Sequence, residues 1–295
     1  MALPVADFLV FAGGAAVFFG VGPILSKRGL ASGGTWVGNT LTVIGVRAAM
    51  FWIVLLVVAG GTALTGLTGY GALIFAAAGI SASGIGRLSF YVGVDKVGSS
   101  LSAAVANARP LFAVLLGAFW LGEVVTTRMA IGVVVLVAGV VVLSLSRGGD
   151  IGGWQRHELL FPLFAAVWFA AGNVTRRFGF TVSSTTTLQG IAIGETAAVL
   201  FLIGYTLASG RLNELRAPRR SHALFVASGL NAGLGLFMLF EGLRRGPVSV
   251  VDPVAGAAPL LTVVLAVVLL KEFERITPLV VIGSVAIVIG AALIT

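Results

Sequence analysis

The sequence contains no cysteine, which removes disulfides, thiolate metal sites and cysteine nucleophiles from its chemistry. Charge is scarce as well. Asp, Glu, Lys and Arg make up 10% of the 295 residues, against roughly 25% in a soluble domain whose surface must face water. No charged stretch is long enough to build a separate soluble domain. His157 and His222 both fall in charged connections without a partner at metal-ligand spacing, so they read as solvated loop residues and no metal is expected. The chain also lacks a glycine-rich loop with a Walker-type lysine after a strand. It has no Ser/His/Asp or paired-carboxylate constellation within its apolar runs. ATP-driven pumping and enzymatic catalysis are therefore disfavoured, and no cofactor is expected.

What is present is apolar surface. Hydrophobic residues make 58% of the chain, and the mean hydropathy is +1.08. A helical bilayer crossing takes about 20 apolar residues. Such runs bracket at 5–25, 37–59, 70–93, 100–120, 129–146, 159–178, 186–208, 222–243, 249–270 and 277–294. They are continuous, not alternating, and about twice the length of a barrel strand. The prediction is an all-α membrane protein of about ten transmembrane helices, multi-pass in the cell (inner or plasma) membrane. Met1 to Asp7 lack a basic region, so 5–25 reads as a retained first span.

The apolar runs hide an internal repeat. Pro110-Leu111 opens a stretch closing on Leu121-Gly122-Glu123, and Pro259-Leu260 opens one closing on Leu270-Lys271-Glu272. Ile131-Gly132 with Gly139 returns as Ile282-Gly283 with Gly290. Val17, Phe19, Gly22, Lys27 and Gly29 return as Val167, Phe169, Gly172, Arg177 and Gly179. All lie close to 150 residues apart, which divides the chain into residues 1–148 and 149–295. Five spans is an odd number, so the second copy enters the membrane from the opposite side. Two inverted five-helix repeats are the architecture of many secondary carriers, in which the halves exchange conformations about a central site.

The net charge of +8 is spread over many short loops and forms no stripe, which excludes nucleic acid as the expected partner and suits membrane orientation. Connections opposite the termini carry Lys27, Arg28, Lys96, Arg147, Arg156, Arg211, Arg216, Arg219, Arg220, Lys271 and Arg275. Those on the terminal side carry Arg128, Arg176, Arg177, Arg244 and Arg245. The positive-inside rule then places both termini outside the cytoplasm.

Charge at bilayer depth costs about 2.5–3.5 kcal/mol on insertion scales and needs a polar partner or a wet cavity. Arg47, Arg87, Arg109 and Glu195 fall well within predicted spans. Three positives against one negative favour an anionic ligand, because guanidinium forks match carboxylate and phosphate oxygens. Arg87 and Arg109 are the leading candidates to bind such a group, against the alternative that they snorkel or bond helix-end carbonyls. Glu195 is read two ways: as a proton-coupling carboxylate, or as a fixed ion pair with Arg47. Asn39, Asn107, Gln189 and Asn231 either line the cavity or bond between helices. Asp252, just before Pro253, reads as a helix N-cap, and Glu123 and Glu272 as structural span ends. Pro110 and Pro259 sit inside their spans and free the carbonyls of Ala106 and Ala255, which predicts symmetric helix breaks at the centre. Gly132/Gly139, Gly283/Gly290, Gly229/Gly233 and Gly242/Gly246 share helix faces at spacings of 7 or 4 and predict close packing, with a homodimer face left open.

In this order and twice over, these residues resemble the drug/metabolite transporter superfamily, in particular its EamA-type ten-span members. The markers are the paired stretches ending in Glu123 and Glu272, Phe19-Gly20 followed by Lys27-Arg28, and Arg47 in span two. To these are added Gly86-Arg87-Leu88, Gly98-Ser99-Ser100 and Pro110-Leu111-Phe112. The resemblance covers essentially the whole chain. It implies export or uptake of a small molecule, such as an amino acid, a related metabolite or a nucleotide-like solute, through a cavity between the halves. A lipid or lipid-phosphate flippase is the alternative within the same superfamily. For many members the resemblance implies cytoplasmic termini, which the charge count opposes.

Overall fold

The structure, a computed structural model, describes residues 6–97, 99–145, 155–258, 260–261 and 278–294. Pro259, Lys271, Glu272, Arg275, Arg147 and the predicted boundary between residues 148 and 149 lie outside the described residues. Among the described residues every regular element is helical. Helices α1 (Ala6–Ala31), α2 (Trp36–Ala59) and α3 (Gly69–Gly79) open the first half. A π-helical turn, Ile80–Gly86, leads from α3 into α4 (Arg87–Val97). Then come α5 (Ser99–Ala106), α6 (Arg109–Leu121) and α7 (Thr127–Leu145). The second half contains α8 (Leu160–Val182), α9 (Thr187–Ala208), α10 (Arg219–Arg245), α11 (Val248–Ala255) and α12 (Pro278–Ile294). Six of the described helical stretches are long and apolar enough to cross a membrane, and three shorter apolar helices fall within further predicted crossings.

Local chemistry sets the helix ends. Thr35 accepts a hydrogen bond from Gly38 N at 3.0 Å to start α2, and Thr68 does the same for Gly71 N at the start of α3. Thr186 and Gln189 form a reciprocal capping box at the start of α9. Gly122 stops α6 in the left-handed region at φ +66°.

The contacts between helices carry the symmetry. Helix α1 lies along α10, and α3–α4 lies along α8. Helix α2 packs on α9 and α10, and α3 packs on α9. Helices α6 and α11 pair, as do α7 and α12. Span one of the first half thus meets span three of the second, and the reverse, while spans two, four and five each meet their own counterpart. That is the pattern of a two-fold relation, and five crossings per half place its axis in the membrane plane. The repeats are inverted, and their main contacts are with each other.

The repeated glycines make this closeness possible. A Cβ on Gly139 would lie 2.8 Å from the Gly283 carbonyl oxygen, and one on Gly132 2.9 Å from that of Gly290. One on Gly79 would overlap the Gly194 backbone. Gly229 and Gly233 approach Val46 and Met50 of α2, while Gly242 and Gly246 approach Val251 and Phe8. These faces, considered above as a dimer contact, are filled within the chain. Outward-facing side chains such as Val57, Leu73, Phe119 and Val124 are exposed and apolar, as a lipid-facing surface requires.

Several predicted boundaries move. Arg176 and Arg177, counted as loop residues, lie inside α8, and Arg176 is buried. Arg244 and Arg245 form the last turn of α10, and His222 lies in its first turns, not in a loop. Pro110 does not kink a continuous helix. The chain breaks completely over Asn107-Ala108, and Pro110 sits in the first turn of a new helix, where its missing N–H leaves no bond unmade. The second half breaks over Gly256-Ala257, directly after α11.

Substitution of Gly79 by Leu is expected to lower stability by about 1–3 kcal/mol through overpacking, read as a fall in the thermal midpoint in detergent. Gly45→Ala, with nothing within 4 Å of the new Cβ, is expected to leave the midpoint unchanged or raise it. Equal midpoints for Gly79→Leu and wild type would contradict the close α3–α9 crossing.

Candidate functional site

Each charge in the interior occupies a position that the helical period would give to an apolar residue. On α2 the buried stripe runs Val43, Ile44, Arg47, Ala48, Phe51, Leu55. On α9 it runs Ile191, Glu195, Ala198, Leu202. The two stripes face each other, and Arg47 Nη2 meets Glu195 Oε2 at 2.5 Å with both side chains at most 3% exposed. The π-helical turn adds a third partner: Ser83 donates to Glu195 Oε1 at 2.8 Å and accepts from Arg47 Nη2 at 3.5 Å. Inserting an extra residue into a helical turn re-aims side chains, and such bulges gather at functional sites. Of the two readings of Glu195, the geometry is that of the fixed ion pair.

A second pair joins the helix breaks. Arg109, the first residue of α6, donates from Nε to Asp252 Oδ2 at 3.0 Å. Asp252 is not the N-cap expected from Asp-Pro. It lies within α11, a helix begun four residues earlier by Pro247 and Val248, and is 0% exposed. Asn173 of α8 donates to its other oxygen, and Arg176 Nη1 donates to Asn173 Oδ1 at 2.6 Å. The Arg176 guanidinium lies 4.8 Å from the Phe240 ring centroid, and its Nε has no hydrogen-bond partner. Gly172 packs on Ala82, which sets Asn173 and Arg176 beside the group formed by Ser83, Glu195 and Arg47, so the two pairs belong to one layer. Arg87, just after the π turn, contributes its charge near Arg47. Its Nε is buried without a partner, and no ion pair to it exists among the described residues.

The layer therefore holds Arg47, Arg87, Arg109 and Arg176 against Glu195 and Asp252, an excess of guanidinium. Arg47, Asn173, Arg176, Glu195 and Asp252 are each at most 3% exposed. The expected chamber is thus an occluded polar layer, with its groups turned on one another.

The uncharged candidates divide. Asn107 lies in the break before Arg109, half-buried, without a side-chain hydrogen bond among the described residues. Asn231 donates to the Phe18 carbonyl at 2.7 Å, and Ser228 donates to that of Gly22 at 3.2 Å. Both bond to α1 carbonyls near Pro23 and so join α10 to α1. Asn39 donates to the Tyr91 hydroxyl at 3.0 Å, and Gln189 donates to the carbonyls of Ala63 and Thr65. Glu123 reaches across the halves and accepts from Val248 N and Ser249 N, both at 2.8 Å, capping α11. Among the described residues no His, Cys, Asp or Glu cluster suited to a metal occurs.

Sequence reasoning passed over Arg176 and Asn173 and misassigned Asp252. A signal was available: Arg176 lies four residues after Gly172 and three before Gly179, on the face those glycines press against α3 and the π turn.

A two-fold, inverted, ten-span bundle with an ionic layer at its centre belongs to the membrane transporters. A model of the EamA-like transporter family matches the chain twice, over residues 8–145 and 157–295, and the chain belongs to that family. "Uncharacterized transporter YvbV" of Bacillus subtilis (strain 168) is 28% identical over 187 residues. That match spans 61% of this chain and 58% of the relative's length. A solved structure described as "Crystal structure of protein" matches with a TM-score of 0.80, covering 97% of this chain and 95% of that one. At 21% identity it supports the fold alone.

Glu195→Gln is expected to cost about 3–5 kcal/mol, because it strands the Arg47 charge, read as a lower thermal midpoint in detergent. The double variant Arg47→Met/Glu195→Leu is expected to recover most of that loss. A double variant as unstable as the sum of the single ones would argue against the ion pair.

Proposed function

We propose that this transporter is a secondary carrier, working as an exporter, for small anionic or zwitterionic metabolites, amino acids and other carboxylates among them. Alternating access between the inverted halves would move the solute across the membrane. The observation that carries this reading is the surplus of guanidinium in the layer. Arg47 and Arg109 each have an internal carboxylate, whereas Arg87 has none among the described residues. Arg87 is half-buried, and its buried Nε has no partner; a cation at membrane depth without a counter-charge is costly, and a solute carboxylate supplies what is missing in the geometry a guanidinium prefers. Enclosure of the layer by both halves favours a soluble solute over a lipid phosphate.

The orientation proposed is with both termini outside the cytoplasm, in the cell membrane. The charge contrast supporting it sharpens once side-chain partners are known. On the terminal side Arg176 is internal, Arg177 donates to the carbonyls of Leu243 and Arg244, and Arg244 and Arg245 both pair with Glu241. Alkaline phosphatase fused after Thr295 is expected to be active in intact cells. An inactive phosphatase fusion together with a fluorescent cytoplasmic reporter at the same point would reverse the orientation.

In proteoliposomes, a screen of labelled amino acids and dicarboxylates with and without a pH gradient is expected to yield carboxylate flux. Arg87→Gln is expected to reduce that flux about 10- to 100-fold, as the loss of a charged hydrogen bond worth about 1.5–3 kcal/mol implies. Unchanged flux would remove Arg87 from the binding site, and wild type without any carboxylate flux would overturn the reading.

A further inference from the structure

We propose that Asp252 is a built-in stand-in for the solute's carboxylate. It holds Arg109 while the carrier is empty, yields it to the solute, and so lets the unloaded protein return and complete net transport. The proposal rests on the reading above, in which a solute carboxylate meets the guanidinium layer.

The pair is an addition to the repeat, not part of its symmetry. Aligning Pro110 with Pro259 places Ala258 opposite Arg109 and Ala103 opposite Asp252. Each half therefore brings one charge that its own counterpart lacks, and the two meet at 3.0 Å beside the helix break of span four. The repeat itself does not call for this pair, since the aligned positions of the other half are alanines.

The geometry is that of a competitor for solute. Asp252 takes only Nε of Arg109, and among the described residues neither Nη makes a hydrogen bond or ion pair. The side chain of Arg109 is 22% exposed while that of Asp252 is 0% exposed. Arg109 thus keeps an open, two-nitrogen edge on its accessible side, and its internal partner sits behind it. When a solute carboxylate takes Arg109, Asp252 is not stranded, because Asn173 donates to its other oxygen and Arg176 stands behind Asn173 at 2.6 Å. The exchange replaces one carboxylate by another and needs no proton. Glu195 cannot serve in this way, being held by both Arg47 and Ser83.

The consequence concerns the return step. An empty carrier whose Arg109 had no counter-charge would have to move a bare guanidinium through a low-dielectric interior, which is costly. Loaded carrier would escape that cost. Without Asp252 the protein would therefore exchange solute for solute but scarcely move it net.

The experiment loads proteoliposomes with a labelled mixture of L-amino acids and succinate and follows release in two modes. External buffer without solute reads net efflux, and buffer with the same mixture unlabelled reads exchange. Wild type is expected to perform both. In Asp252→Asn the ratio of net efflux to exchange is expected to fall at least about tenfold relative to wild type, as a bias between loaded and empty reorientation. A ratio equal to that of wild type overturns the proposal, whatever the absolute rates. If Asp252→Asn does not assemble, Asn173→Ala serves. It removes the donor that supports Asp252 while solute holds Arg109, so the loaded state is penalised and the ratio is expected to rise, an unchanged ratio again overturning the proposal. Wild type without flux in either mode is a failure of the carrier reading itself, and is seen before any variant is compared.

Discussion

A charge within a bilayer must find a partner in the protein, and in this chain the halves supply each other's partners. The first half contributes Arg47, Arg87 and Arg109 to the central layer and no carboxylate. The second contributes Glu195 and Asp252, together with Arg176. Arg47 is satisfied by Glu195 and Arg109 by Asp252, so both ion pairs cross between the repeats. Buried pairs add little net stability compared with apolar packing, yet losing one partner is severe. Their effect is to specify how the halves meet. A slip of one turn between α2 and α9 would place Arg47 against Ala198 and leave two charges in the apolar core.

Around that layer the repeat explains the architecture. Spans two, four and five meet their own counterparts, and spans one and three exchange, so one two-fold relation accounts for each principal contact. Glycines let backbones touch where α7 meets α12 and where α3 meets α9, giving rigid seams. The irregular backbone is concentrated elsewhere, at the π-helical turn before Arg87 and at the break before Arg109. Helices interrupted at membrane depth are tolerated only where protein or a polar cavity encloses them. The two interruptions of the first half thus lie next to the two arginines expected to meet solute.

Much of this was legible in the sequence because lipid imposes a simple rule on composition. Ten apolar runs, an odd number per repeat and glycines at matching spacing carried the fold. Arg47, Arg87, Arg109 and Glu195 stood out as charges inside apolar runs. Arg176 did not, because it comes near the end of its run beside Arg177, and α8 continues to Val182 beyond the apolar stretch. Asp252 was obscured by its neighbour: Asp-Pro is a strong local signal for a helix start, and the true start, Pro247, lies only five residues earlier. The partner of each charge was less legible still. Pairings such as Asp252 with Arg109 join residues 143 apart in sequence, and no local pattern encodes them. Asn231 shows the converse, since a polar residue at membrane depth here spends its donor on the Phe18 carbonyl of α1, joining two helices.

The absence of native cysteine makes a direct test of the central claim available. That claim is that the break before Arg109 faces a polar path between inverted halves. Asn107→Cys can be probed in right-side-out and inside-out membrane vesicles with a charged, membrane-impermeant maleimide. The expected result is labelling from both vesicle orientations, slowed by transported carboxylate in each. Labelling confined to a lipid-soluble maleimide, or from one orientation alone and indifferent to solute, would contradict a centrally placed site reached alternately from the two faces.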